Sequence, residues 1–219
     1  MDFLFKNNKF RFFEVILITA AIIISIFVIQ TKTNTTSSAS EKNETSFIIS
    51  PGWNLVSPSF STSMTAKSFC KEFSQITSVV KWESQSWKEY ACKNPVIANF
   101  PILANNGYFI RVDVPETIIW KDRGKLLKPG FKFEEGWNVT GIVPSLTGYK
   151  NADDICLKSP NPNFKILEIN RWYNGGWNAH VCEYPFNNFS LEDNKAYFIK
   201  AVLVGSNPNK KIAPLSLPK

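Results

Sequence analysis

The sequence predicts an α+β fold, mainly antiparallel β, made of two small tandem modules that follow an N-terminal transmembrane helix. Three observations predict it: an internal repeat, β-rich segments separated by turn residues, and an apolar run near the N-terminus. Of the 219 residues, 44% are hydrophobic and 20% are charged, which is typical of a folded chain. The net charge of +7 permits an acidic glycan or wall polymer as a partner without requiring one.

The repeat is defined by matched spacings. Each copy begins with Gly-Trp-Asn, contains two tryptophans five residues apart with a cysteine five residues later, and ends with Tyr-Phe-Ile. The equivalent positions, first copy before second, are Gly52 and Gly136, Trp82 and Trp172, Trp87 and Trp177, Cys92 and Cys182, and Tyr108 and Tyr197. We therefore divide the chain into a first module, 47–124, and a second module, 125–204.

Each module is predicted to have the order β-α-β-β-β. The entering strands are 47–56 and 131–139, each interrupted by glycine. The first helix is expected over 66–73, with Thr65 as its N-cap, and the second begins after Asn151 with acidic residues in its first turn.

A hairpin and a last strand complete each module. The first hairpin pairs residues 79–82 with 87–92, and Asn174-Gly175 is a strong signal for the equivalent turn because both residues tolerate positive φ. The last strands are 108–112 and 197–203, and residues 117–121 form a further strand between the modules.

Residues 12–30 are predicted to span a membrane once, as a retained signal anchor. Residues 15–29 carry no charge, and about 17–25 residues cross a bilayer core. Lys6, Lys9 and Arg11 place residues 1–11 in the cytoplasm and the modules outside. Residues 31–46 are then a flexible stalk and residues 205–219 an extended tail.

Two other interpretations of the N-terminus stay open, and both also export the modules. Residues 37–39 have the small side chains of a signal-peptide cleavage site, although they lie far beyond the apolar run. Glu14 opens an apolar helix as in type IV pilin-like subunits, but Lys9 stands where that processing site has Gly or Ala.

Three strings resemble a known repeat: Gly-Trp-Asn-Leu at 52–55, Val-Lys-Trp at 80–82 with a second Trp at 87, and Asn-Asn-Gly-Tyr-Phe-Ile at 105–110. Together they resemble the accessory modules with a GWNL…W…W…GYW pattern in bacterial and archaeal cell-surface and secreted proteins. The resemblance implies an extracellular, non-catalytic module. The second copy departs from it at Ala196, where the pattern has Gly, and the cysteines are not part of the pattern.

The four cysteines are expected to form two disulfides. Four cysteines allow three pairings, and the repeat favours Cys70 with Cys92 and Cys156 with Cys182, because each module then carries one bond at equivalent positions. The alternative, a four-cysteine metal site, would need close pairs such as C-x2-C, and no two cysteines here are closer than 22 residues.

The tryptophans admit two interpretations. Six of the seven occur in repeat-equivalent pairs, which favours a role in the core. In the second interpretation Trp87, Trp177 and Tyr173 form an aromatic platform for a sugar ring. Trp120 has no counterpart in the second copy and is expected at the joint between the modules.

The residue inventory argues against catalysis. His180 is the only histidine and aligns with Tyr90, so its position is expected to require a flat side chain. Neither Asp153-Asp154 nor Glu134-Glu135 has a counterpart in the other copy, and both pairs are expected to be solvated. The basic run at the joint is either a solvated linker or a contact for an anionic polymer; it consists of Lys121, Arg123, Lys125, Lys128 and Lys132.

We therefore expect a membrane-anchored protein of the cell envelope with a non-catalytic binding or structural role, and no metal or cofactor. Its partners would be the membrane and an envelope glycan or protein, and not nucleic acid. The alternative is an accessory subunit of a surface assembly, such as a pilus-like or secretion machine.

Overall fold

The computed structural model describes residues 44–206. Every described residue lies in a single compact unit. The elements in chain order are β1 (Glu44–Ile49), β2 (Gly52–Val56), α1 (Ala66–Glu72), β3 (Ile76–Glu83), β4 (Ser86–Ala91), β5 (Tyr108–Val112), β6 (Ile118–Arg123), β7 (Gly136–Gly141), α2 (Pro144–Thr147), α3 (Ala152–Leu157), β8 (Phe164–Tyr173), β9 (Gly176–Val181) and β10 (Ala196–Leu203).

Two four-stranded antiparallel sheets dominate the fold, which confirms the mainly antiparallel β class. The first has the strand order β2-β5-β3-β4 and the second has the order β7-β10-β8-β9, so the two sheets are topologically equivalent. Helix α1 contributes Ala66 and Phe69 to the core of the first module. Helix α3 contributes Ala152 and Ile155 to the core of the second.

The shared Gly-Trp-Asn motif forms a hydrogen-bonded turn at the start of β2 and of β7. Gly52 has φ +87° and Gly136 has φ +113°, values at which a side chain is strained. The Asn54 side chain accepts from Ser50 N at 2.9 Å and donates to Ser50 O at 2.6 Å. Asn138 makes the same pair of bonds to the backbone of Glu134, both at 2.8 Å. Glycine therefore permits each turn and asparagine closes it.

The helix caps and the second hairpin turn lie where the sequence predicted them. Thr65 and Asn151 both form capping boxes, at the starts of α1 and α3. Asn174 and Gly175 turn between β8 and β9 with φ values of 49° and 77°. Ser84 and Gln85 take the same positive φ in the first module, at 52° and 57°.

The largest departure from the sequence prediction is a two-stranded ribbon of β1 and β6 that belongs to the first module alone. The predicted strand at 117–121 is β6, and β1 starts at Glu44, inside the segment expected to be a stalk. In the second module, however, the strand begins only at Gly136, and 131–135 is not a strand. Within residues 44–206, no second ribbon strand exists for 131–135 to pair with.

The position predicted for Trp120 is wrong. Its side chain is 2% exposed inside the first module, and its ring centroid lies 4.7 Å from that of Phe47 and 4.6 Å from that of Phe69. Pairing of β6 with β1 turns alternate side chains inward and carries Trp120 away from the joint.

None of the helices within 44–206 is long and apolar enough to cross a membrane. The predicted span at 12–30, most of the stalk and the tail from residue 207 lie outside the described residues.

Candidate functional site: the interface and cleft between the modules

Phe109 of the first module lies at the centre of an aromatic cluster between the two sheets. Its side chain is fully buried. Four tryptophan rings surround it, two from its own module and two from the other: Trp53 and Trp87, and Trp172 and Trp177. The two rings from the second module have centroids 5.4 Å and 5.7 Å from that of Phe109. Edge-to-face contacts of this kind stabilise by about 0.5–1.5 kcal/mol beyond the burial of apolar area.

Phe198 repeats this arrangement from the second module. It is also fully buried and contacts Trp137 and Trp177 of its own module and Trp82 and Trp87 of the first. The interface thus has an approximate two-fold symmetry in which each phenylalanine is surrounded by four tryptophans. Six of the seven tryptophans of the chain take part in this shared core.

Hydrogen bonds across the interface obey the same symmetry. The indole N–H of Trp82 donates to Trp137 O at 2.9 Å, and that of Trp172 donates to Trp53 O at 2.8 Å. Where the two symmetry-related strand ends meet, Ser57 N donates to Asn194 O at 3.0 Å, and its counterpart Gly141 N donates to Asn105 O at 2.8 Å. The Gly-Trp-Asn and Asn-Gly-Tyr-Phe motifs are therefore explained by folding and by the interface.

The structure separates the three residues of the predicted sugar platform. Trp87 and Trp177 pack inside the interface cluster, as the core interpretation requires. Tyr173 is 54% exposed and lies on the other face of the second sheet, because neighbouring residues in a strand point to opposite faces. There its ring stacks with Arg171, whose guanidinium carbon is 4.6 Å from the ring centroid.

Both predicted disulfides form. Cys70 bonds to Cys92 and Cys156 to Cys182, each with its Cα atoms 5.5 Å apart. Each bond ties the helix of a module to the residue that directly follows the second strand of its hairpin. In the chain-entropy model, loops of this length stabilise a fold by about 3 kcal/mol each.

Asp153, Cys156 and His180 form the one group within 44–206 whose ligand atoms are close enough to suggest a metal site. The Cys156 sulfur is already bonded to Cys182, so it cannot serve as a thiolate ligand. His180 is completely buried, and its Nδ1 lies 2.9 Å from the carbonyl oxygen of Phe186. A carbonyl only accepts, so Nδ1 carries a proton and the ring holds the loop after β9 in place. The geometry does not fit a metal centre.

An open cleft of about 710 Å³ lies where the hairpin of the first module meets the segment that enters the second. Three lysines line it: Lys81 from β3, and Lys128 and Lys132 from the predicted basic run. Glu83 and Glu134 also line it, so the lysines are in excess by one charge. The cleft combines cationic groups with aromatic walls, since Trp82 and Trp137 also line it.

The floor of the cleft is fixed by Gln85. Its side-chain amide donates to Trp137 O at 2.9 Å, and its side-chain oxygen accepts from Trp137 N at 3.0 Å. The residue equivalent to Gln85 in the second module is Gly175, which has no side chain to make these bonds. No local pattern predicts this contact, because it joins Gln85 to a residue 52 positions later in the chain.

A buried polar network closes the opposite side of the interface. Asp122 accepts from Ser59 N at 2.7 Å and from Phe60 N at 3.1 Å. The hydroxyl of Ser59 donates to Asn194 Oδ1 at 3.0 Å, and Asn194 Nδ2 donates to Thr45 Oγ1 at 3.3 Å. Burial raises the pKa of Asp122 to about 6, although the two backbone N–H bonds act in the opposite direction.

The chain matches no family model, no curated protein and no solved structure. The resemblance to surface modules therefore remains a prediction.

Proposed function

We propose that the protein is a single-pass membrane protein of the cell envelope whose two modules face outward and bind an envelope glycan or a protein without catalysing a reaction. The cleft between the modules is the observation that carries the binding role. It is concave, it has walls of Trp82 and Trp137, and its lysines come from both modules. Concave sites with aromatic walls and a few convergent polar groups are typical of ligand-binding sites.

The interface supports this role because it fixes the cleft. The two modules share a buried aromatic core, so the lysines on either side are held in one arrangement rather than moving with two independent domains. A preorganised site loses less entropy on binding than a flexible one.

Two features support an outward-facing location. Disulfides persist in oxidising compartments, and this chain has one in each module. The sequence from 12 to 30, with basic residues before it, is typical of a signal anchor.

Binding by the cleft is tested with cell envelopes of the source organism from which the lipid has been extracted with detergent, so that the N-terminal segment cannot retain the full-length protein. We expect the double variant Lys128→Gln, Lys132→Gln to reduce retention of the full-length protein about tenfold at low salt, and added salt to do the same to the unmodified protein. The matched control is Lys67→Gln, Lys71→Gln, which removes two exposed lysines of α1. Equal retention of both double variants would exclude the cleft as the binding site.

The location is tested separately with an alkaline phosphatase fused to the C-terminus, since that enzyme is active only after export. An inactive fusion, together with modules that resist external protease, would contradict the outward orientation.

The second candidate function, an accessory subunit of a surface assembly, is favoured by three exposed apolar side chains beside the Cys156–Cys182 bond. Leu157, Tyr184 and Phe186 are 75%, 60% and 71% exposed. Their counterparts in the first module are Lys71, Asn94 and Val96. Exposed apolar groups of this size are typical of protein contacts. Co-purification of a stoichiometric membrane partner that is lost on Phe186→Ser, but not on Val96→Ser, would favour this function over glycan binding.

A further inference from the structure

Arg171 and Lys81 occupy equivalent positions in the two modules but have different neighbours. Lys81 lies over the Phe100 ring, with Nζ 5.0 Å from the ring centroid, and Arg171 lies over the equivalent ring, Phe189, at 4.5 Å. Lys81 also forms an ion pair with Glu83 at 2.8 Å. The hydrogen bond from Lys81 holds the pKa of Glu83 below its usual value.

In the second module the residue equivalent to Glu83 is Tyr173, so the carboxylate that would neutralise the cation is replaced by an aromatic ring. The Arg171 guanidinium lies between the rings of Tyr173 and Phe189, with its central carbon 4.6 Å and 4.5 Å from their centroids. Within residues 44–206, Arg171 takes part in no ion pair.

The donors of Arg171 are also unused. Its Nε is buried without a hydrogen-bond partner, while the two terminal nitrogens keep contact with solvent. The rings of Tyr173 and Phe189 both contact the guanidinium and limit the positions that it can take. A guanidinium held in this way presents two parallel N–H donors that match the two oxygens of a carboxylate.

We infer that Arg171 and Tyr173 form a site on the second module for a carboxylate-bearing sugar, such as the uronic acid unit of an acidic envelope glycan. The guanidinium edge receives the carboxylate, and the exposed ring of Tyr173 packs against the C–H face of the sugar. A single cation suits a carboxylate with one negative charge better than a phosphate dianion. The inference rests on the binding role proposed above and names its ligand class.

The test is a calorimetric titration of the full-length protein, in detergent, with tetragalacturonate and with its fully methyl-esterified form. The ester keeps the sugar ring and removes the charge. We expect the ester to bind at least about tenfold more weakly, as expected for the loss of one charge-assisted bidentate contact.

Four variants distinguish binding at Arg171 and Tyr173 from a general effect of the protein's charge. Arg171→Gln and Tyr173→Glu are both expected to weaken tetragalacturonate binding about tenfold or more, the second because it recreates the internal ion pair of the first module. Tyr173→Phe keeps the ring and should bind as the unmodified protein does. The control is Arg111→Gln, since Arg111 also lies over an indole, that of Trp53, but is already paired with Asp113 at 2.8 Å.

Four outcomes would overturn the site: no binding of tetragalacturonate at millimolar concentration, equal binding of the ester, equal loss in Arg171→Gln and Arg111→Gln, or tighter binding of a short peptide with a free C-terminus than of the sugar. The envelope-retention assay distinguishes the two proposals. Calorimetry tests the site on the second module, and retention tests the cleft. If one of these four outcomes is found while the lysine variant of the cleft still loses retention, only the site on the second module fails.

Discussion

The two modules have the same arrangement of strands and helices, but they expose different residues to solvent. Residues that match between the copies build the Gly-Trp-Asn turns, the disulfides and the tryptophans and central phenylalanines of the shared core. The helix caps and the hairpin turns use different residues at equivalent positions. Among the positions that differ, two lie partly or largely exposed on the sheets: Lys81 against Arg171, and Glu83 against Tyr173. The repeat motifs therefore describe how the modules fold and associate, and the candidate binding residues are found among the positions that do not repeat.

The approximate two-fold symmetry of the interface requires some equivalent residues to differ in size. A Cβ on Gly107 would lie 2.7 Å from the Cβ of its counterpart, Ala196, and one on Gly141 would lie 2.7 Å from the Cβ of its counterpart, Ser57. Equivalent residues face each other at both places, and there is space for only one of the two side chains. This accounts for Ala196 in the place where the first copy has glycine.

The largest expected effect comes from removing either central phenylalanine of the interface. Phe109→Ala and Phe198→Ala should each lower the free energy of unfolding by about 3–5 kcal/mol, because each leaves a cavity among four tryptophans. Chemical denaturation followed by tryptophan fluorescence measures it. If the approximate symmetry holds energetically, the two losses agree within about 1 kcal/mol; a loss confined to one variant would show that one module contributes most of the stability.

A smaller effect is expected from Gly107→Ala, which puts a methyl group against Val139 and Ala196. Overpacking of this kind costs about 1–3 kcal/mol. The double variant with Ala196→Gly should recover part of the loss, because the clash with Ala196 disappears while that with Val139 remains. A double variant no more stable than the single one would place the strain elsewhere.

An effect that varies with pH concerns Asp122, which lies on the ribbon that only the first module has. Its folded-state pKa of about 6 lies above the ordinary value of about 3.9. The folded protein therefore binds this proton more tightly, and this group's contribution to stability falls as pH rises from about 4 to about 6 and is constant above that range. We expect a change of about 2–3 kcal/mol, absent in Asp122→Asn.

Urea denaturation of both proteins at pH 4, 5, 6 and 7 measures this change. An identical pH dependence in the variant would mean that another group is responsible.

Short-range patterns were enough to predict several parts of the molecule. The helix caps, the Asn174-Gly175 turn and the pairing of the cysteines followed from residues close in sequence or from the repeat itself. These features depend on local backbone preferences and on equivalence between copies, both of which a sequence displays directly.

The role of the tryptophans was decided only by the tertiary structure. In β5 and β10 every residue from Tyr108 to Ile110 and from Tyr197 to Ile199 is buried, so alternation gave no clue that one face meets a second sheet. The inward position of Trp120, the absence of a strand at 131–135 and the unpaired guanidinium of Arg171 likewise depend on which distant segments meet. The sequence alone determined that the two modules share one arrangement of strands and helices, because the signals for these elements are local. Tertiary packing decided which surfaces are buried in the core and which are exposed to solvent.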